Sequence, residues 1–126
     1  MKTETKIYYS HPITLYGSNE SMDITNLICC IYVEEAPEVI NPEDVKISDE
    51  DKVKIRGNYT EFLEMEAKYF YPLIKDCDIF VYDDKIPLTG GVREELKYAK
   101  QNGLEIKTIR ELRNEDWSWK IGKNKE

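Results

Sequence analysis

Short apolar runs alternate along this chain with longer segments whose apolar residues recur at helical spacing. The apolar runs cover residues 6–10, 38–40, 78–82 and 104–109, and the helical patterns between them end near residues 35, 75 and 102. This order of strand and helix favours parallel strands, because each helix carries the chain back across the sheet. We therefore predict a single α/β domain over residues 1–126. It would be a doubly wound parallel sheet, Rossmann-like or flavodoxin-like, with helices on both faces.

Sheets of this kind bind ligands beyond the carboxyl ends of their strands. Those ends lead here into residues 10–17, 41–58 and 83–91. Residues 43–58 are polar and show little periodicity, which predicts a long connection that acts as a lid or binding loop. Three cations alternate within it, at positions 52, 54 and 56. They form either a solvated surface, which is the commoner arrangement, or a contact with a phosphate.

A glycine pair precedes the last predicted helix, which covers residues 92–102. Gly90 and Gly91 allow the backbone to approach a ligand closely. The amides of the first turn lack partners within the helix and can hold an anion. Glu95 falls on the same helical face as Val92 and Leu96. A carboxylate on an apolar face costs free energy, so Glu95 either caps its helix, pairs with a buried cation or takes part in catalysis.

Two further titratable residues stand at unusual places. Glu66 shares an apolar face with Phe70 in the predicted helix over residues 60–75, which Pro72 should kink or end. It is therefore a second carboxylate on an apolar stripe. His11, the single histidine, directly follows the first strand. Such a residue is either packed into the structure or an acid–base catalyst.

The composition limits the class of partner. The formal net charge of the 126 residues is -7, which argues against binding to nucleic-acid polymers and to anionic membrane surfaces. No stretch is long and apolar enough to span a membrane. The first residues are not followed by the apolar core of a signal peptide, so a cytoplasmic protein is expected.

The cysteines and the histidine give no sign of a metal site. Cys29, Cys30 and Cys77 have no metal-ligand spacing. We expect all three to be reduced, buried and structural, and we expect no metal and no other cofactor.

Two blocks of the sequence carry a resemblance to a known family. One is Ile-Tyr-Tyr-Ser-His-Pro-Ile-Thr over residues 7–14, and the other consists of Asp78, Gly91, Glu95 and Ala99. Together they resemble the nucleoside 2-deoxyribosyltransferase-like family, which includes the 2'-deoxynucleoside 5'-monophosphate N-glycosidases. The first block is similar to that family's first strand and loop. The second is similar to the opening of its third strand and to its active-site helix. Pro87, with the same glycine and glutamate, also resembles an interrupted motif of nucleotide phosphoribohydrolases.

The resemblance implies a role for each matching residue. Glu95 stands at the position of the family's catalytic glutamate, and Thr89 at that of a phosphate-binding hydroxyl. Tyr8 stands where a tyrosine lines the sugar site. Gly91 and Val92 would supply backbone amides near the phosphate.

Other residues join the predicted site through their position in these blocks. Ser10 and Ile13 belong to the first loop, Gly90 to the start of the helix, and Asp83 to the end of the third strand. The family carries an aspartate at or near the position of Phe70. Glu66, one turn earlier, is expected to take its place, and His11 and Asp83 are the other candidates for the second acid.

The resemblance implies an N-glycosidase or deoxyribosyltransferase that cleaves the base–sugar bond of a nucleoside or nucleoside 5'-monophosphate, with Glu95 as catalytic carboxylate. One alternative is a noncatalytic module that binds a nucleotide or a nucleotide-derived signal, and another is a small interaction protein. An inward-facing Glu66 would favour the enzyme over the binding module. We also expect a homodimer or larger assembly, for which the tail with Trp117 and Trp119 is available.

Overall fold

A four-stranded, all-parallel sheet forms the centre of the computed structural model, which describes residues 5–12, 15–85 and 90–114. The strands are β1 (Thr5–Tyr9), β2 (Pro37–Ile40), β3 (Ile79–Tyr82) and β4 (Glu105–Thr108). Their order across the sheet is β2-β1-β3-β4. Tyr8 pairs with Ile40 on one side and with Phe80 on the other. The predicted parallel α/β sheet is therefore confirmed.

Helices connect and cover the strands. They are α1 (Asn19–Ile31), α2 (Asp49–Ile55), α3 (Tyr59–Met65), α4 (Tyr71–Lys75) and α5 (Gly90–Gln101). Short 3-10 helices cover Val33–Glu35 and Pro42–Asp44, and a π-helical segment covers Glu66–Phe70. Residues 109–114 are also helical. No helix in the described part of the chain is long and apolar enough to cross a membrane.

Successive residues of β1 face opposite sides of the sheet, as the two-residue period of a strand requires. Ile7 and Tyr9 pack in a cluster with Ile24 and Ile28 of α1. Tyr8 packs in a second cluster, which includes Ile74 of α4 and Leu96 and Ala99 of α5. The helices thus cover both faces, and the strands are buried on both sides as parallel strands usually are.

Residues 43–58 are not the featureless connection that the sequence predicts, because α2 lies within them. Ser48 caps this helix by accepting a hydrogen bond from the Asp51 amide at 3.2 Å. Acidic residues occupy its first turn and lysines its last, an arrangement that suits the helix dipole. Val53 is 72% exposed, so end effects and not an apolar face define this short helix.

The predicted helix over residues 60–75 begins one residue earlier and contains a change of register. Asn58 and Glu61 form a capping box at its start. The Tyr71 amide donates to the Glu66 carbonyl, five residues back, and Pro72 lies in the first turn of α4. A proline disrupts the preceding α-helical turn, and the wider π turn lets the helix continue past it.

The expectation that all three cysteines are buried is wrong for Cys30. Cys77 is buried below the sheet, Cys29 is partly exposed and Cys30 is exposed. On α1 the buried positions include Ile24 and Ile28. Cys30 follows Ile28 by two residues, which on a helix places it about 200° away, on the opposite face.

Candidate functional site

A cavity of about 490 Å³ opens at the carboxyl end of β1. Its walls come from the chain after β1, the turn between α2 and α3, the helical stretch from α3 to residue 70, and the start of α5. The lining residues of the first two segments are His11, Pro12, Tyr16, Ile55, Arg56, Gly57 and Tyr59. β1 lies between β2 and β3 in the sheet. The chain therefore adds β2 on one side of β1 and then crosses over to add β3 on the other side. The cavity therefore lies at the switch point where such sheets bind ligands, and all three predicted segments contribute to it.

Two glutamates meet at this cavity. Glu95 on α5 is 5% exposed and Glu66 on the π-helical segment is 4% exposed. Their carboxyl groups share a hydrogen bond, which requires a proton on one of them. Ser10 donates a second hydrogen bond from its Oγ to Glu95 Oε1 at 2.7 Å. The structure thus brings Glu95, Glu66 and Ser10 together.

The proton of the pair belongs to Glu66. Burial, with added repulsion from the Glu95 charge, raises the pKa of Glu66 to about 11. Burial also raises the pKa of Glu95, but hydrogen bonds from Glu66 and Ser10 oppose this shift by stabilising the anion. Glu66 is therefore a neutral acid at pH 7, and the two carboxyl groups share its proton. Glu66 Oε2 has no hydrogen-bond partner among the described residues.

The absence of a side chain at one glycine allows this contact. A Cβ atom at Gly91 would lie 3.2 Å from Glu66 Oε1 and 3.4 Å from Phe62 Cζ. The absence of a side chain at position 91 lets α5 approach closely enough for the two carboxyl groups to meet.

Tyr8 and Ser10 lie behind the glutamate pair and not in the open cavity. Both are 0% exposed. The Tyr8 hydroxyl is close enough to lower the pKa of Glu95, yet it completes no hydrogen bond of standard geometry within the described chain. Burial raises the pKa of Tyr8, and the Glu95 carboxylate adds to the shift. The Ser10 hydroxyl therefore orients Glu95, and neither Tyr8 nor Ser10 is among the residues that line the cavity.

His11 lines the cavity, but other protein groups engage both ring nitrogens. Nδ1 contacts the Tyr9 carbonyl oxygen and Nε2 contacts Glu43 Oε2, each at 3.1 Å. The ring also stacks on Tyr9, with centroids 4.2 Å apart. Burial alone would raise the pKa of Glu43, but hydrogen bonds from His11, the Gly17 amide and Ser21 lower it. This network supports a structural role for His11, since neither nitrogen is directed to a ligand.

Aromatic side chains form much of the cavity wall. Tyr16, Tyr59, Phe62 and Phe70 line it. Tyr59 donates a hydrogen bond from its hydroxyl to Glu94 Oε1 at 2.6 Å, which joins the start of α3 to α5 at the cavity. Flat rings of this kind offer stacking surfaces for a planar heterocycle.

The remaining predicted residues divide into three groups. Gly90, Gly91 and Val92 line the cavity. Asp83 accepts a hydrogen bond from the Lys85 amide at 2.9 Å and is not among the residues that line the cavity. Ile13 and Thr89 lie outside the described residues, as do Trp117 and Trp119.

Two residues contribute to the site beyond those that the sequence favoured. Arg56 lines the cavity, whereas the sequence pattern favoured a solvated surface for its segment. Glu43 fixes His11 from 32 residues away, and no local pattern indicates that contact. Within the described ranges, no group of three or more His, Cys, Asp or Glu residues is arranged to hold a metal ion.

Comparison with known proteins places the fold. No family model matches the sequence, and no curated protein matches it. One similar solved structure is the CMP N-glycosidase BcmB of Clostridium botulinum, with 18% identity, a TM-score of 0.49, and coverage of 87% of this chain and 82% of that one. Another is the 2-deoxyribosyltransferase from Leishmania mexicana, with 18% identity and a TM-score of 0.51.

The likeness to the Leishmania structure covers 82% of this chain and 63% of that one. The fold is shared. At this level of identity the likeness describes the fold alone, and this chain spans less than two thirds of that protein. The chemistry of the site is therefore argued from its own residues.

Proposed function

We propose that this protein cleaves the N-glycosidic bond of a nucleoside or nucleoside 5'-monophosphate, either by hydrolysis or by transfer of the sugar to a second base. The single observation that carries the proposal is the contact between Glu66 and Glu95 on the cavity wall. A neutral carboxylic acid in contact with a second carboxyl group can supply both a proton and a negative charge during cleavage of a glycosidic bond.

The two glutamates match the charges that develop in this reaction. As the bond from the base nitrogen to C1' breaks, its electron pair stays with the base and the sugar becomes positively charged. Glu95 either stabilises this centre as an anion or forms a bond to C1'. Glu66 supplies a proton to the departing base nitrogen or holds Glu95 in place. Water or a second base then takes the sugar, and the proton lost by that acceptor restores Glu66.

The surroundings of the pair support this assignment. Ser10 fixes one oxygen of Glu95, so the carboxylate is positioned before a substrate arrives, which reduces the cost of reaching the reactive geometry. The aromatic wall gives a base a surface on which to stack. The Leishmania protein of the same fold is named as a 2-deoxyribosyltransferase, and a related activity is consistent with that fold.

A noncatalytic module that binds a nucleotide or a nucleotide-derived signal is the second candidate. The same cavity would accommodate the ligand, and the glutamate pair would serve only recognition. Against this candidate stands the burial of two carboxyl groups, which costs free energy that a binding role does not require.

The proposal is tested by incubating the protein with a panel of nucleosides and 5'-monophosphates and measuring the released free base by chromatography. We expect wild type to release base and Glu95→Gln to be slower by about two to four powers of ten, because the amide cannot act as an anion. Glu94→Gln is the matched control on the same helix, since glutamine still accepts the hydrogen bond of Tyr59.

Each outcome of that panel selects one candidate. Equal rates for wild type and Glu95→Gln would contradict the catalytic role of Glu95. Binding of nucleotides without release of base from any of them would replace the enzyme by the binding module.

We further propose that the protein acts in the cytoplasm as a homodimer or larger assembly. Exposed apolar side chains such as Met22 and Val33 are available for contact between copies.

A further inference from the structure

One cation stands at a cavity whose other charged groups are acids. Among the described residues that line the cavity, Arg56 is the only lysine or arginine. It directly follows α2, and its own amide donates to carbonyl groups of that helix. Its backbone is therefore fixed by the helix end, while its side chain is exposed beside the cavity.

The neighbouring cations of α2 are already paired. Lys52 lies 3.9 Å from Asp49, and Lys54 lies 3.9 Å from Asp51. Arg56 forms no ion pair with any residue in the described part of the chain. The three alternating cations thus separate into two that pair within their helix and one that is available to a ligand in the cavity.

The cavity consequently has two regions of different charge. The Glu66–Glu95 pair forms a buried acidic region, and Arg56 supplies an exposed positive group. A ligand that fits both presents its reacting centre to the carboxylate and an anionic group to the guanidinium. The planar guanidinium binds phosphate through two parallel hydrogen bonds, so a phosphate monoester matches it better than a neutral hydroxyl.

We propose that Arg56 is the specificity-determining residue that selects nucleoside 5'-monophosphates over the corresponding nucleosides by binding the phosphate. This inference rests on the proposed function and names its substrate class. It assigns the phosphate to one of the three alternating cations, which is the less common of the two arrangements that the sequence allows for them, and not to the start of α5.

Matched ligand pairs test the assignment. The affinity of each nucleoside and of its 5'-monophosphate is measured by calorimetry for wild type, Arg56→Gln and Arg56→Lys, at low and moderate salt. We expect Arg56→Gln to weaken binding of the monophosphate by about 10- to 100-fold and to leave the nucleoside unchanged, as for loss of a charge-assisted hydrogen bond. The affinity of Arg56→Lys for the monophosphate should lie between those of wild type and Arg56→Gln, because lysine keeps the charge and lacks the planar guanidinium.

Lys52→Gln is the matched control. It removes one positive charge from α2, the helix that Arg56 follows, at a residue that does not line the cavity. A general electrostatic effect would therefore appear in both Lys52→Gln and Arg56→Gln. Ribose 5-phosphate is a second probe, because it carries the phosphate without a base. Its affinity should fall in Arg56→Gln by the same factor as that of the nucleotide.

The binding measurements separate this inference from the proposed function, because they do not depend on turnover. A phosphate preference lost only in Arg56→Gln supports the inference even where no base is released. A preference that survives in Arg56→Gln overturns it and returns the phosphate to the start of α5. Equal losses for nucleoside and nucleotide also overturn it, since they indicate a structural role.

Discussion

The Glu66 carboxyl group occupies the space next to the Cα atom of Gly91, where a Cβ atom would lie only 3.2 Å from Glu66 Oε1. That distance is shorter than ordinary van der Waals contact, so the place of Glu66 beside Glu95 depends on the lack of a side chain at position 91. The glycine has no positive φ angle, and its backbone would accept an alanine. The constraint is therefore the contact with Glu66 and not the local conformation.

Gly91→Ala should displace the Glu66 carboxyl group and slow base release. A shift of the acid by a few tenths of an ångström alters its hydrogen bond to Glu95, and we expect a rate loss of about tenfold or more. The free energy of unfolding should change by less than about 1 kcal/mol, because the alanine also favours the helix. Steady-state rates and urea unfolding measure the two effects.

Gly90→Ala is the control for this substitution. Among the described residues, a Cβ atom there would meet only Phe62 Cε2, at 4.0 Å, which is an ordinary contact. Gly90 also lines the cavity, so its alanine variant should lose less rate than Gly91→Ala, and its helix should be as stable or slightly more stable. Equal loss of rate in both alanine variants would show that the contact with Glu66 is not what matters.

The shared proton predicts how stability depends on pH. The pKa of Glu66 is raised in the folded state to about 11, from an ordinary value of 4.5. Its contribution to stability is complete below pH 4.5 and is lost as pH rises toward 11, because the unfolded chain releases the proton first. Glu66→Gln cannot release a proton. Relative to this variant, wild type should lose up to about 1.4 kcal/mol per pH unit between pH 5 and 8.

Urea unfolding at several pH values measures that difference. Glu64→Gln serves as the control, since Glu64 is exposed on the same long helix and its variant should follow wild type at every pH. Parallel curves for wild type and Glu66→Gln would mean that Glu66 is ionised in the folded protein at neutral pH.

The three thiols should react at different rates with a thiol reagent. Cys30 is exposed and should react first, and Cys29 should react more slowly because it is partly covered. Burial raises the pKa of Cys77 to about 12, so it should react only after unfolding. With a thiol reagent that absorbs light when it reacts, Cys30→Ser should remove the fastest phase of the absorbance change. A fast phase that persists in that variant would contradict the orientation of α1.

The sheet was predictable because its signals are local. Alternation along β1 sends Ile7 and Tyr9 to one core cluster and Tyr8 to the other. A run of consecutive apolar residues indicates a strand that is buried on both faces. Glu95 was identifiable for the same reason, since a charged residue at a position that should be apolar is visible from spacing alone.

The remaining features depend on contacts that sequence spacing does not encode. The helix α2 has no apolar stripe, and its caps and end charges resemble those of a polar loop. Part of its fixed position comes from Asp51, which accepts a hydrogen bond from Lys68 at 2.8 Å across 17 residues. The π register of residues 66–70 arises just before Pro72, where a sequence pattern predicts only a kink.

The position of His11 is a similar case, and it leads to a further prediction. His11→Gln should lower stability by about 1–3 kcal/mol, because the buried contacts to Tyr9 and Glu43 are altered or lost. A glutamine side chain reproduces at most part of this network and does not stack on Tyr9 as the imidazole does. Chemical denaturation measures the change in the free energy of unfolding.

Activity distinguishes this structural role from an acid–base role. In His11→Gln, kcat measured well below the melting temperature should fall by less than about tenfold, whereas loss of a general acid or base typically costs 10²–10⁴-fold. The shape of the pH–rate profile should also persist, because both ring nitrogens already contact protein groups. Ser21→Ala removes the hydroxyl that donates to Glu43 at 3.0 Å and contacts His11 Nε2 at 3.3 Å. It leaves the imidazole and its other contacts in place, so it should lower stability less and leave kcat unchanged. Loss of one limb of the profile in His11→Gln alone would instead make His11 the second catalytic group, and Glu66 would then serve only to position Glu95.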